Sequence, residues 1–134
     1  MKIKLSPYLA FNGNCNDAMN FYKSVLGGKL EIKTFADVPG EVDEAQKDKI
    51  MHARLLVDEI EIMASDSMRG QEAVNGTSVA LSLEYENLKE SERVFKELSA
   101  DGSIQIPFEN TFWGAKFGLL TDKFGIQWMV HCDI

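Results

Sequence analysis

The chain spells the same order of secondary-structure elements twice, and a duplicated order restricts the possible folds more tightly than any single motif. The first half opens on a short β-rich stretch, residues 2–12, ending in the turn signal Asn12-Gly13-Asn14. NDAMNFYKSVLGG then predicts a helix. Asn16 is its N-cap, Asp17 suits the positive end of the dipole, and Ala18, Met19, Tyr22, Val25 and Leu26 recur at helical spacing before a stop at Gly27 or Gly28. Residues 29–36 alternate Leu30, Ile32 and Thr34 against charged neighbours, the pattern of a half-buried strand. After an acidic loop over 37–47, KIMHARLLV (49–57) and EIEIMAS (59–65) predict two strands joined through Asp58-Glu59.

A linker over 66–76 leads into the second half. TSVALSLEY (77–85) predicts a strand. Asn87 caps a helix with an apolar stripe of Leu88, Val94, Phe95 and Leu98 and a stop at Gly102. Strands follow over 103–109, 113–121 and 126–132, with a turn at 122–125. Each half is therefore β-α-β-β-β. NFYKSVLGGKLEI and RVFKELSADGSIQI share an aromatic–Lys step, an apolar pair and a Gly leading into a strand, which supports a duplication.

Composition narrows the function classes. At 134 residues with 45% hydrophobic and 26% charged residues, the chain has the makeup of one globular domain. Fourteen Lys and Arg against twenty-one Asp and Glu give a net charge of −7, which phosphate backbones and anionic membranes repel. No apolar run reaches the ~18 residues of a membrane span. MKIKLSPYLAF is too poor in apolar residues before Pro7 for a secretory leader, so a cytoplasmic location is expected. Cys15 and Cys132 form no CxxC pair and read as buried apolar residues or free thiols.

Three stretches carry a family resemblance: YLAFNGNCNDAMNFYKSVLGG, then DKIMHARL with IMASD, then NTFWGAKFGLLTDKFGIQWMVHC. Together they resemble the PhnB-like branch of the vicinal oxygen chelate superfamily, which holds glyoxalase I, extradiol dioxygenases and the bleomycin and fosfomycin resistance proteins. The branch often carries a demethylubiquinone-methyltransferase-like label. The resemblance implies an α+β chain of two tandem βαβββ modules, module one over about 1–66 and module two over about 76–134. Their sheets would form a cupped mixed sheet, the glyoxalase/bleomycin resistance/dioxygenase fold. It also implies a homodimer. Metalloenzymes of the superfamily place four ligands in the cup, usually His, Gln or Glu, on the first and last strand of each module. The positions that match here are Pro7, Met63, Ser78 and Met129. A catalytic divalent metal needs N or O donors, so this set predicts no metal and no other cofactor. A methyltransferase role has no glycine-rich nucleotide loop to hold a methyl donor.

Strand alternation assigns the faces without the family. Ile60, Ile62 and Ala64 oppose Glu61 and Met63; Trp128, Val130 and Cys132 oppose Gln127, Met129 and His131; Val79, Leu81 and Leu83 oppose Ser78, Ala80 and Ser82. The more apolar faces should cover the helices. The other faces then carry Glu61, Met63, Ser78, Gln127, Met129 and His131, joined by His52 and Arg54. Each candidate has a chemical reading and a plainer one. His52 or His131 is a general base with Glu61 or Asp66 orienting it, or a hydrogen-bonded strand residue. His52, Glu61 and His131 together are a displaced metal site, or three unrelated side chains. Trp113 and Phe117 stack on a flat ligand, or pack, as Trp128 on the helix face should. Arg54 with Glu61 is a ligand clamp or a cross-strand pair. Asp66 binds at a rim or begins a turn. Cys132 lies on the opposite face from His131, which argues against a thiolate nucleophile.

Three functions are therefore weighed. The leading one is metal-free binding of a small organic molecule, with Met63, Met129, Trp113 and His52 in the lining. The others are a metal-dependent lyase, dioxygenase or resistance enzyme with non-standard ligands, and a metal-independent acid–base enzyme using His52 or His131.

Overall fold

Both halves fold as the repeat predicts. A computed structural model describes residues 1–37, 40, 44–67 and 71–134; parts of the acidic loop (38, 39, 41–43) and of the linker (68–70) lie outside the described residues. The chain divides into two compact units, Met1–Val74 and Asn75–Ile134. In module one, β1 (Tyr8–Phe11), α1 (Cys15–Leu26), β2 (Lys29–Thr34), β3 (Ile50–Val57) and β4 (Ile60–Asp66) form a sheet in the order β1-β4-β3-β2 under one helix. Module two repeats this with β5 (Leu81–Tyr85), α2 (Leu88–Ser99), β6 (Ser103–Asn110), β7 (Ala115–Thr121) and β8 (Gln127–Asp133), ordered β5-β8-β7-β6. Each sheet is mixed. The first strand runs parallel to the last, and the remaining pairs are antiparallel. The fold is α+β.

The helices bury the stripes that periodicity marks. Ala18, Met19, Tyr22 and Val25 of α1 are buried, as are Phe11, Ala53, Leu55, Ile62 and Ala64 of the sheet it packs on. In module two, Val94, Phe95 and Leu98 of α2 are buried together with Leu83, Leu120, Val130 and a fully enclosed Trp128. Each fully buried side chain of this size contributes about 1.5–3 kcal/mol. Gly118 is what lets α2 approach. A Cβ there would lie 2.6 Å from the Phe95 ring, so the aromatic occupies the space a side chain would need.

Several boundaries differ from the sequence reading, each for a local reason. β1 begins only at Tyr8, because Pro7 has no N–H to continue a ladder, although its carbonyl accepts from Met63 N at 3.0 Å. β5 begins at Leu81 and not at Thr77. Leu81 pairs with Trp128, the second residue of β8, so residues 77–79 run past the start of that strand, and Ser78 lies exposed ahead of the sheet. β7 begins at Ala115, since Thr111 N–H donates to the Ala115 carbonyl and closes a turn that holds Trp113 and a positive-φ Gly114.

Helix α1 starts at Cys15, with Asn14 and not Asn16 in the capping position, and Asn14 makes no side-chain cap. Asp66, 3% exposed at the end of β4, does that work. Its Oδ1 accepts from Gly13 N and Cys15 N at 2.9 Å each, and its Oδ2 from Ile50 N at 2.8 Å. One carboxylate thus joins the last strand, the helix start and β3, and Asp66 is neither a rim residue nor a turn initiator. Asn87 caps α2 as expected, accepting from Glu90 N at 2.9 Å. A second buried carboxylate, Asp122, accepts from Phe124 N, Ile126 N and the Trp128 indole N–H, fixing the final turn.

Candidate functional site

The helix covers one face of each sheet, so chemistry has to be sought on the other. In module one that face carries a cross-strand row of Tyr8, Met63, Arg54 and Glu31, with His52 opposite Lys33 one step along. Glu61 is its electrostatic hub. Lys4 Nζ lies 3.0 Å from one carboxylate oxygen, Ser6 donates to the same oxygen at 2.9 Å, and Arg54 Nε donates to the other. These partners, Lys4 first and then Arg54 and Ser6, pull the Glu61 carboxyl down to about 2. A carboxylate so firmly ionised and already paired is a weak proton acceptor. Arg54 also reaches Glu31, at 3.6 Å, so the Arg54–Glu61 contact belongs to a cross-strand network. His52 has a different partner: its Nδ1 lies 3.3 Å from the Tyr8 hydroxyl, with the ring centroids 5.8 Å apart.

The corresponding face of module two is more apolar. Ser82, Met129, Leu119 and Ile106 form one row, and Glu84, His131, Phe117 and Glu109 the next, while Gln127 pairs with Thr121. Met129 therefore occupies the register position that Met63 has in module one. The turn ahead of β7 adds exposed aromatics. Trp113 is 56% exposed, with Phe112 edge-on at 5.0 Å and Phe117 at 6.5 Å between centroids. His131 sits between two carboxylates, Nδ1 3.9 Å from Glu84 and Nε2 3.6 Å from Asp133. Glu84, Tyr85, Glu86 and Asp133 line a cavity of about 410 Å³, where burial raises the Tyr85 hydroxyl pKa. Trp128 and Cys132 are fully buried on the helix side. Burial first, and the Asp66 charge second, push the Cys15 thiol up to about 12, which makes it inert at neutral pH.

The metal implied by the superfamily does not fit these side chains. Register gives Met63 and Met129 other neighbours than two of the positions matched by sequence. Tyr8, not Pro7, stands beside Met63, and Ser82, not the exposed Ser78, stands beside Met129. Two thioethers, a phenol and a hydroxyl remain a poor donor set for a hard or borderline cation. Among the described residues, no group of three or more His, Cys, Asp or Glu side chains is placed to hold an ion. Reading by sequence missed Tyr8, Glu84 and Tyr85. Continuing the alternation from Ser82 by one step would have found Glu84.

A model of the 3-demethylubiquinone-9 3-methyltransferase family matches residues 3–131. The chain belongs to this family. It is 35% identical to protein YjdN of Escherichia coli over 138 residues, covering 95% of this chain and 93% of the relative. Among solved structures it is similar to PA1353 from Pseudomonas aeruginosa, with 44% identity, a TM-score of 0.89 and 98% of both chains covered. It is also similar to a putative family member from Bacillus cereus described as a PhnB protein, with 28% identity, a TM-score of 0.78 and 97% and 99% coverage. This PhnB-like family shares its fold with more distant proteins. One is a glyoxalase/bleomycin resistance protein from Albidiferax ferrireducens, at 13% identity with a TM-score of 0.62 over 97% and 98% of the chains. The family name speaks of methyl transfer. In this PhnB-like chain the described glycines sit at turns and helix–strand contacts and frame no nucleotide-binding loop.

Proposed function

We propose that this PhnB-like protein binds a small organic molecule on its helix-free sheet faces without the metal typical of the superfamily. The observation that carries the reading is the pair Met63 and Met129. Both stand at the same register position of their sheets, at places where the resemblance implies N or O donors in the metalloenzymes. Thioethers are soft, adaptable apolar surface and suit an organic ligand. Trp113 and Phe117 add flat aromatic area beside Met129 and His131, while Arg54 and Gln127 supply polar contacts on the two sheets. Ser78, exposed and off the strand, contributes least. The same reading takes the chain to act as a cytoplasmic homodimer. Ile104 and Ile106 on the edge strand β6, half-exposed, favour a covered edge.

Native mass spectrometry of untagged protein tests this directly. The expected spectrum is a dimer without metal, alone or with a retained organic mass. Uptake of the neutral dye Nile red should be saturable and should weaken about two- to tenfold in Trp113→Ala or Phe117→Ala. A stoichiometric divalent metal that survives desalting would overturn the reading, and so would a protein that takes up no organic probe.

A further inference from the structure

We propose that Tyr8 and His52 form a hydrogen-bonded pair that recognises the carboxylate of a small organic acid on the helix-free face of module one. The inference rests on the small-molecule reading above and names the ligand class for this face. Both residues are held by strand register. Tyr8 lies opposite Met63, and His52 opposite Lys33, so neither is a loop residue free to swing away. The Tyr8 oxygen lies 3.3 Å from His52 Nδ1, with the rings inclined at 34°. In the proposed pair the Tyr8 hydroxyl donates to Nδ1, which leaves the imidazole proton on Nε2, on the far side of the ring. An Nε2–H donor recognises an acceptor. It does not serve as a base, because the lone pair it would need is occupied by Tyr8.

Charge chooses the acceptor. The chain carries a net charge of −7, yet around this face Lys4, Lys29 and Arg54 pair with Glu31 and Glu61, while Lys33, whose charge also bears on Asp37, stands opposite His52. Both carboxylates are already engaged, Glu61 by Lys4, Ser6 and Arg54, and Glu31 by Arg54 and Lys29. A carboxylate at His52 meets a donor and the field of Lys33 across the strand, a stronger combination than any neutral carbonyl could draw on. Met63, between Tyr8 and Arg54 in the row, gives the organic body an apolar floor.

The test is calorimetric titration with a matched pair of probes, 1-naphthoate and 1-naphthamide, on the wild type, His52→Gln and Tyr8→Phe. The wild type should bind the acid about tenfold more tightly than the amide, and His52→Gln should lose that preference. Nitrogen-15 NMR of the two histidine rings, assigned through His52→Gln, should show His52 with its proton on Nε2 in the wild type and a mixture of tautomers in Tyr8→Phe. Equal affinity for the two probes overturns this inference and leaves small-molecule binding standing. Failure to bind either probe overturns both. A wild-type His52 protonated on Nδ1 overturns the assignment of Nε2–H as the recognising donor, and that readout needs only the ring assignment from His52→Gln.

Discussion

Modules one and two share a topology but hold their helices in different ways. Register aligns Asp66 at the end of β4 with Cys132 at the end of β8, since each lies three residues beyond its module's methionine. In module one this position is a buried carboxylate that takes three backbone N–H groups from the helix entry and β3. In module two it is a buried thiol, and the helix is capped from within by Asn87. A duplicated fold therefore repeats the path of the chain and not the means by which each copy satisfies its polar groups. One module ties its cap to its sheet; the other keeps the cap local.

The difference predicts unequal consequences for removing each cap. Asp66→Ala leaves three N–H groups without their acceptor, two of them in bonds that are themselves buried, and should cost about 3–5 kcal/mol. Asn87→Ala removes one exposed cap and should cost about 1 kcal/mol. Urea denaturation followed by circular dichroism compares the two midpoints. Equal losses would show that the buried carboxylate is no more than an ordinary cap.

A smaller effect concerns the strand beneath each helix. Register places Gly118 of β7 where module one has Ala53 of β3. Gly118→Ala would drive a methyl into the Phe95 ring and should cost about 1–3 kcal/mol. Ala53→Gly opens space under α1, where Ala53 is fully buried, and should cost about 0.5–1 kcal/mol. If Gly118→Ala is neutral by the same denaturation measurement, Phe95 has room to retreat and the close approach is not what selects glycine.

How far these features were legible in the sequence depends on whether they are periodic. Helix stripes and strand faces are written at fixed spacing, so Met63, Met129, Arg54, Trp128 and Cys132 fall on the faces that alternation assigns. The Asn87 cap is local and equally legible. Asp66 is not, because its partners Gly13 and Cys15 lie more than fifty residues away and meet it only once β1 pairs with β4. Tyr8 was hidden for a related reason. Pro7 stands one residue before the partner of Met63, and in a strand one residue is the difference between two faces. Glu61 falls on the face that alternation assigns to it, but its partners Lys4 and Ser6 come from a segment whose pattern shows no pairing.

Glu61 provides the most delicate contrast between the modules. Its carboxyl is pulled down to about 2, by Lys4 most, from an ordinary value of 4.5. A depressed carboxyl favours the folded state above its unfolded value and loses that contribution as pH falls through the folded one. Module one should therefore lose stability between pH 4.5 and about 2 through this group. The matching register position in module two is Gln127, paired with Thr121, and has no carboxyl to titrate. Glu61→Gln should lower the urea midpoint at pH 7, where this contribution is fully present, and flatten its dependence on pH in that window, so that the two proteins converge as pH falls, the size of the difference being held down by solvent screening of the ion pairs. Added salt should mimic the substitution in the wild type and leave the variant unmoved. Parallel pH curves for the two proteins would mean that Lys4, Ser6 and Arg54 do not hold Glu61 in solution, and the two faces would then differ in composition without differing in what stabilises them.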